Sequence, residues 1–443
     1  MFRNPIIWVG CLLLLLCGCS VNRAAALRPE SSINFQLTEH NSAVSESRQP
    51  VQPYGQITFA DALALALQNN PGLAAAIIEI HSAEARTIQT ANRPNPEIDL
   101  EFENFGGSGS LRGTDGIETT IALSQQILLS DKRRKQMDVT AFESDLAAWD
   151  AERIRLDLYA EVHNAFNRLL ITQADIDAKT ELLKLSESLL ETTRQRVAAG
   201  KVSPAEASRA EIVLAQNAIA LKKAEQLRES ARKRLAATWG SRDAHLSRVT
   251  GNIDIEFTLP PEDTLQNQLS NNPDLRRFAA EMAHRKAEIA VADAKVIPDP
   301  TVSGGVRHMN ESGDIAFVVG LSLPLPIADR NQGNREAARL NLAKSEKEFE
   351  AAKLALATEL SEAYNAFGAT RSEISALREQ IIPQAEKAYV SIRDGYLQGR
   401  FDFLDVLDAQ RTLFESRDRY LHALRELHET AVRIERLIAR KIH

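Results

Sequence analysis

The chain of 443 residues carries only three cysteines, and all of them fall within its first nineteen positions. Cys11 and Cys17 lie in an N-terminal stretch that reads as a cleaved secretory signal. Cys19 would then be the only thiol left, which excludes an intrachain disulfide, a Cys-based metal site and a Cys nucleophile. Aromatic residues make up 5%, low for a β-rich protein and ordinary for long helices. The net charge is a mild -7, and no basic run argues for a nucleic-acid partner. No stretch after Cys17 reaches 18 apolar residues, so no transmembrane helix is expected. P-loop, catalytic serine and zincin patterns are missing. Seven of the nine histidines (His81, His163, His245, His284, His308, His422 and His428) are scattered along the chain and form no recognisable ligand set. The sequence therefore predicts no enzyme, no cofactor and no dedicated metal site.

The N-terminal segment combines Arg3 with an apolar stretch from Ile6 to Cys17, too short for a spanning helix and suited to a signal. It ends in Leu16-Cys17-Gly18-Cys19, which resembles a lipobox. Cleavage after residue 18 would make Cys19 the acylated N-terminus, and Ser20 resembles the pattern sorted to the outer membrane. An ordinary signal peptide is the alternative. Residues 19–56 are polar and without a sustained period, the composition of a tether.

What the chain does have is an internal repeat with an offset near 200 residues. Asn69-Asn70-Pro71 returns as Asn271-Asn272-Pro273, Pro94-Asn95-Pro96 as Pro298-Asp299-Pro300, and Gly200 as Gly399. That period is far beyond a solenoid's, so it marks one large unit duplicated. The boundaries read as 57–240 and 261–443, with 241–260 as linker. Each unit follows one plan: helix, strand, loop, strand, very long helix, tight turn, helix.

Glu97–Phe105 alternates Ile98, Leu100 and Phe102 with Glu97, Asp99, Glu101 and Glu103, the mark of a strand with one apolar and one polar face. Further strands are expected at Ile117–Ile127, Thr301–Met309 and Ile315–Leu323. Asp131–Ala199 and Arg330–Gln398 then read as helices of 69 residues, the second kinked at Pro383. Each could extend for about 100 Å. Gly200 and Gly399 suit left-handed C-caps. Ser203–Glu206 and Asp402–Asp405 both read as capping boxes that start the return helix.

Strands of nine to eleven residues are long enough to cross hydrocarbon when tilted. In lipid their backbone must be satisfied in a closed barrel. Four strands cannot close, since known barrels begin at about eight. The expected fold is therefore mainly α, with duplicated coiled-coil hairpins and four strands per chain. A homotrimer would pool twelve strands in one barrel continued by an α-helical tunnel. A soluble sheet packed on the helices is the alternative.

The duplicated helix–hairpin–long-helix units, the two "NNP" motifs, "PNP" before the first strand and "GRFDFLDVLDAQ" at Gly399–Gln410 resemble the TolC family of outer-membrane efflux ducts. The stretch from Pro94 through "DKRR" at Asp131–Arg134 is similar to the CzcC-like branch that serves heavy-metal efflux. The resemblance covers about Thr58 to Ile438. It implies a passive exit duct fed by an inner-membrane pump of the resistance–nodulation–division type through a periplasmic adaptor. Drug efflux, type I protein secretion and a structural envelope lipoprotein are the rival readings.

The resemblance further implies a periplasmic gate of inward carboxylates at Asp405 and Asp408, whose spacing puts them on one helix face. Tyr396 matches a family aromatic that holds the closed tip. The family's nearby arginine is displaced, with Phe401 in its place and Arg400 beside it. Gly200, Lys201, Ser203, Gly399, Arg400 and Asp402 are the expected adaptor-docking turns. Spacing alone puts Glu97, Asp99, Glu101 and Glu103 on one face, which would line the barrel lumen and favour cations.

Overall fold

The computed structural model describes residues 28–29, 55–243, 246–254 and 257–442. The signal, Cys19 and most of the tether lie outside the described residues. The chain is mainly helical, and the two units run in parallel through the element order. The first comprises β1 (Gly55–Ile57), α1 (Phe59–Asn69), α2 (Pro71–Thr90), β2 (Glu97–Glu103), β3 (Glu118–Gln126), α3 (Lys132–Ala198) and α4 (Pro204–Ala237). After β4 (Leu246–Val249) come α5 (Glu262–Gln268), α6 (Pro273–Ala294), β5 (Thr301–Met309), β6 (Asp314–Ser322), α7 (Gln332–Ala376), α8 (Ile382–Leu397) and α9 (Phe403–Ile438).

The interruption in each first helix comes from proline, which cannot continue the donor ladder of the preceding turn. The structure adds why asparagine precedes it. Asn70 accepts from the Leu73 N–H at 2.9 Å and donates to the Thr238 carbonyl at 2.8 Å. Asn272 accepts from the Asp274 N–H at 2.7 Å and donates to the Leu437 carbonyl at 2.8 Å. One side chain thus caps a helix and catches the end of its own unit's last helix. Asn272 is fully buried. Asn272→Ala removes both bonds and leaves the Leu437 carbonyl without this donor, so a loss of about 2–3 kcal/mol is expected. The thermal midpoint of the purified protein measures it.

The long helices are also positioned at their starts. Asp131 and Asn331 precede α3 and α7 in left-handed backbone, with φ of 54° and 56°. Asp and Asn tolerate that conformation better than most residues. Asp299, from the second proline motif, accepts from the Leu129 N–H at 2.8 Å and pairs with Lys132 Nζ at 2.8 Å. The strand-to-helix corner of one unit is therefore fastened by the proline motif of the other.

α3 runs unbroken for 67 residues, about 100 Å. Its counterpart is divided. A five-residue π-helical turn, Leu377–Ile381, lies between α7 and α8. The kink expected at Pro383 takes this form because Pro383 has no N–H to donate back into the preceding turn. Two buried cores flank the helix breaks. One gathers Leu63, Val162, Phe166, Leu235 and Trp239; the other gathers Leu265, Leu360, Phe367, Leu427 and Ile434. Between them, Tyr159 donates to Glu435 Oε2 at 3.0 Å, and the Ile442 N–H donates to Glu435 Oε1 at 2.9 Å. Burial opposes the Glu435 charge, but hydrogen bonds from His163, the Ile442 N–H and Tyr159 hold its carboxyl below the ordinary range.

Candidate functional site: the sheet and the tip

The two ends of the long helices hold the features of interest. At one end the four expected strands form a single antiparallel sheet in the order β2-β3-β5-β6. Each strand is slightly shifted from its expected range or coincides with it, and β2 stops at Glu103 rather than Phe105. The register pairs Ile98 with Leu123, Leu100 with Ile121, Val302 with Leu321 and Val306 with Phe317. Directly opposed residues share a face, so these side chains make one continuous apolar surface. All of it is open: Ile98, Leu100, Phe317, Val319 and Leu321 are each more than half exposed, and Phe317 reaches 90%.

The opposite face carries the carboxylates of β2 with Thr120, Ser124, Ser303 and Arg307; it is the more covered side along β3, β5 and β6, while Glu97, Asp99 and Glu101 on β2 are exposed. Along β5, exposure alternates, with Ser303, Gly305 and Arg307 half-buried and Val302, Gly304 and Val306 exposed. The sheet therefore curls with its polar face inward. Gly305 permits this, because a Cβ there would stand 2.3 Å from the Ile121 carbonyl oxygen.

Glu97, Asp99, Glu101 and Glu103 occupy that polar face. The structure adds a cation that sequence reasoning missed. Arg307 pairs with Glu103 at 2.8 Å and Glu118 at 2.9 Å, and donates to Thr120 Oγ1 at 2.9 Å. The acidic face is thus partly neutralised at its Glu103 end. β5 alternates too weakly in sequence for Arg307 to have been assigned a side.

The edges of the sheet, β2 and β6, have no strand partner among the described residues. Strand directions alternate across the sheet, so β6 of one copy runs opposite to β2 of a neighbouring copy. Edge-to-edge joining of copies would continue the antiparallel pattern.

At the other end, the α3–α4 and α8–α9 turns lie together. Gly200 and Gly399 have φ of 68° and 78°. Lys201 N–H bonds the Arg196 carbonyl at 2.9 Å, and Arg400 N–H bonds the Gly395 carbonyl at 2.8 Å. These bonds are the outer closures of two matching Schellman motifs. Gly200, Lys201, Ser203, Gly399, Arg400 and Asp402 are all exposed.

The caps differ from expectation in one case. In α9, the Asp402 N–H donates to Asp405 Oδ2 at 3.0 Å, as a capping box requires. In α4, Ser203 instead accepts from the Ala205 N–H at 3.3 Å. The Glu206 carboxylate does not close that box; it accepts from the Tyr396 hydroxyl at 3.3 Å.

Tyr396 is 1% exposed and ties the two turns. The Arg196 guanidinium lies 4.1 Å over its ring and donates to its backbone carbonyl. Thr193 Oγ1 is 3.4 Å from the phenol oxygen. Burial pushes the phenol pKa up, so it remains a neutral donor at physiological pH. Arg196 and Glu206 come from the first unit, about 200 residues away, and no local pattern points to the contact of either with Tyr396. A Cβ on Gly395 would meet Phe401 Cδ2 at 2.3 Å, so Phe401 packs directly onto the α8 backbone.

Asp405 and Asp408 both face solvent in one chain. Asp408 pairs with Arg411 at 2.8 Å. It also lines a groove of about 990 Å³ between α3, α4 and α9, together with Leu182, Asn217, Phe414 and Arg417. Among the described residues no group of three or more His, Cys, Asp or Glu is arranged to hold a metal ion.

The profile of the outer membrane efflux protein family matches residues 62–241 and 264–440. The chain belongs to this family. It is 32% identical to the cobalt-zinc-cadmium resistance protein CzcC of Cupriavidus metallidurans, over 92% of this chain and 96% of the relative. It is 24% identical to the nickel-cobalt-cadmium resistance protein NccC of Alcaligenes xylosoxydans, over 68% of this chain and 67% of that one. A solved structure of CusC superposes with a TM-score of 0.74 at 16% identity, covering 93% of this chain and 97% of the other. That likeness places the fold among the TolC-like channels. The chain is accordingly an outer-membrane efflux channel component, and nothing in the family points to catalysis.

Proposed function

We propose that this chain is the exit duct of a tripartite efflux system and passes heavy-metal cations. Three copies pool their sheets into a twelve-stranded barrel. Their long helices form a tunnel towards the inner membrane, where an adaptor docks on the Gly200 and Gly399 turns and a proton-driven pump supplies the energy. Cys19 carries the lipid anchor. One observation carries the duct reading: the sheet exposes its apolar face and curls its polar face inward, as a lipid-facing, water-lined wall must. The metal assignment rests on the similarity to CzcC and NccC.

Within the barrel, Glu97, Asp99 and Glu101 favour cations, and Glu103 is balanced by Arg307. Asp405 and Asp408 form acidic rings at the tip, with Asp405 also serving as a helix cap. Growth of a deletion strain tests the substrate. The expected result is heightened sensitivity to cobalt, zinc or cadmium, reversed by the wild-type gene. Sensitivity confined to drugs or loss of a secreted protein would replace the metal assignment. In planar bilayers the wild type is expected to prefer cations, and Asp99→Asn with Glu101→Gln to weaken that preference severalfold. Equal anion permeability before and after substitution would overturn the acidic-lumen reading.

A further inference from the structure

Asp145 lies in the first quarter of α3 with its side chain nine-tenths buried, and Ser144 beside it is 1% exposed. A buried carboxylate is costly unless a cation meets it. Its own helix supplies none, because the positions three and four away are Ala141, Phe142, Ala148 and Trp149. The cation arrives from far away in sequence. Arg28 Nε donates to Asp145 Oδ1 at 3.0 Å, one terminal nitrogen to Ser144 Oγ at 3.0 Å and the other to Glu84 Oε1 at 3.2 Å. Glu84 belongs to α2, so the guanidinium fork fills a seam between two helices.

We propose that the α2–α3 seam at Glu84, Ser144 and Asp145 is a docking site for the chain's own N-terminal segment, with Arg28 as its plug. The occupant follows from charge and from chain length. Asp145 is thirteen residues into α3, about 20 Å from the corner below the sheet. Cys19 precedes Arg28 by nine residues, a reach of about 30 Å. Without this contact, the next attachment among the described residues is β1, which begins at Gly55. The reach from there to Cys19 is about 120 Å. Docking shortens the anchoring chain fourfold and raises the effective concentration of the anchor at the sheet about eightfold. The clasp therefore holds the anchored end at the height of the strands that enter the membrane. This last consequence rests on the acylation of Cys19; the docking does not.

The test uses the full-length protein in proteoliposomes, treated with proteinase K and followed by mass spectrometry of the N-terminal segment. Arg28→Ala and Asp145→Asn are expected to speed removal of that segment roughly tenfold, with Arg28→Lys intermediate. Arg28→Asp combined with Asp145→Arg is expected to restore protection, which a merely destabilised fold would not do. Wild-type and Arg28→Ala proteins cut at equal rates would overturn the docking. A Cys19→Ala protein separates the two ideas: protection that still depends on Arg28 supports the clasp whether or not the anchor exists.

Discussion

Arginine in place of Phe317 is expected to keep the chain out of the membrane. Phe317 sits at the middle of β6, opposite Val306 and between Ile315 and Val319 on the same face. If that face meets lipid, a charge near the bilayer midplane costs about 2–4 kcal/mol per copy. Three copies per barrel bring the cost to about 6–12 kcal/mol, as large as the folding free energy of an ordinary domain. Heat-modifiable trimers should disappear from the outer-membrane fraction. Glu101→Arg puts the same charge on the opposite face and should insert normally. If both variants insert equally well, the apolar face does not meet lipid and the shared barrel is wrong. The comparison is sharp because both positions lie within strands of the same sheet and are exposed in one chain, but on opposite sides of it.

Features set by local physics were legible in the sequence. Period-two alternation located β2 because every second side chain from Glu97 to Glu103 changes polarity. The two C-cap glycines located the tip because few other residues accept positive φ. Features set by distant partners were not legible. β1 and β4 span three and four residues, too few for any alternation, and they form only because α1 and the inter-unit linker bring them side by side. The "NNP" motifs announced a helix break and a repeat. Their hold on Thr238 and Leu437 depends on packing that no sequence window contains. Glu206 satisfied the capping-box pattern but bonds Tyr396 instead, a competition invisible without the second unit. The same holds for Arg196: the arginine expected beside Gly399 was displaced, and the cation at the tip comes from the other turn.

That substitution of one arginine for another decides which tip variant should open the duct. Tyr396 has two kinds of contact there. Its hydroxyl bonds, 3.3 Å to Glu206 and 3.4 Å to Thr193, are long and weak. Arg196 instead covers the buried ring at 4.1 Å and donates a charged hydrogen bond to the Tyr396 carbonyl. Those two interactions together are worth about 2–3 kcal/mol in each copy. If they hold only in the closed arrangement, Arg196→Ala shifts the equilibrium towards open about 30- to 160-fold per copy. Tyr396→Phe, which keeps the ring and the carbonyl, should shift it less than about tenfold. Single-channel conductance and entry of a large antibiotic into whole cells both read the change. The expected order is Arg196→Ala above Tyr396→Phe above wild type. Equal conductance in all three would mean that the paired turns are held by their apolar core of Leu189, Tyr389, Phe403 and Val406, and that closure lies with the acidic pair at Asp405 and Asp408.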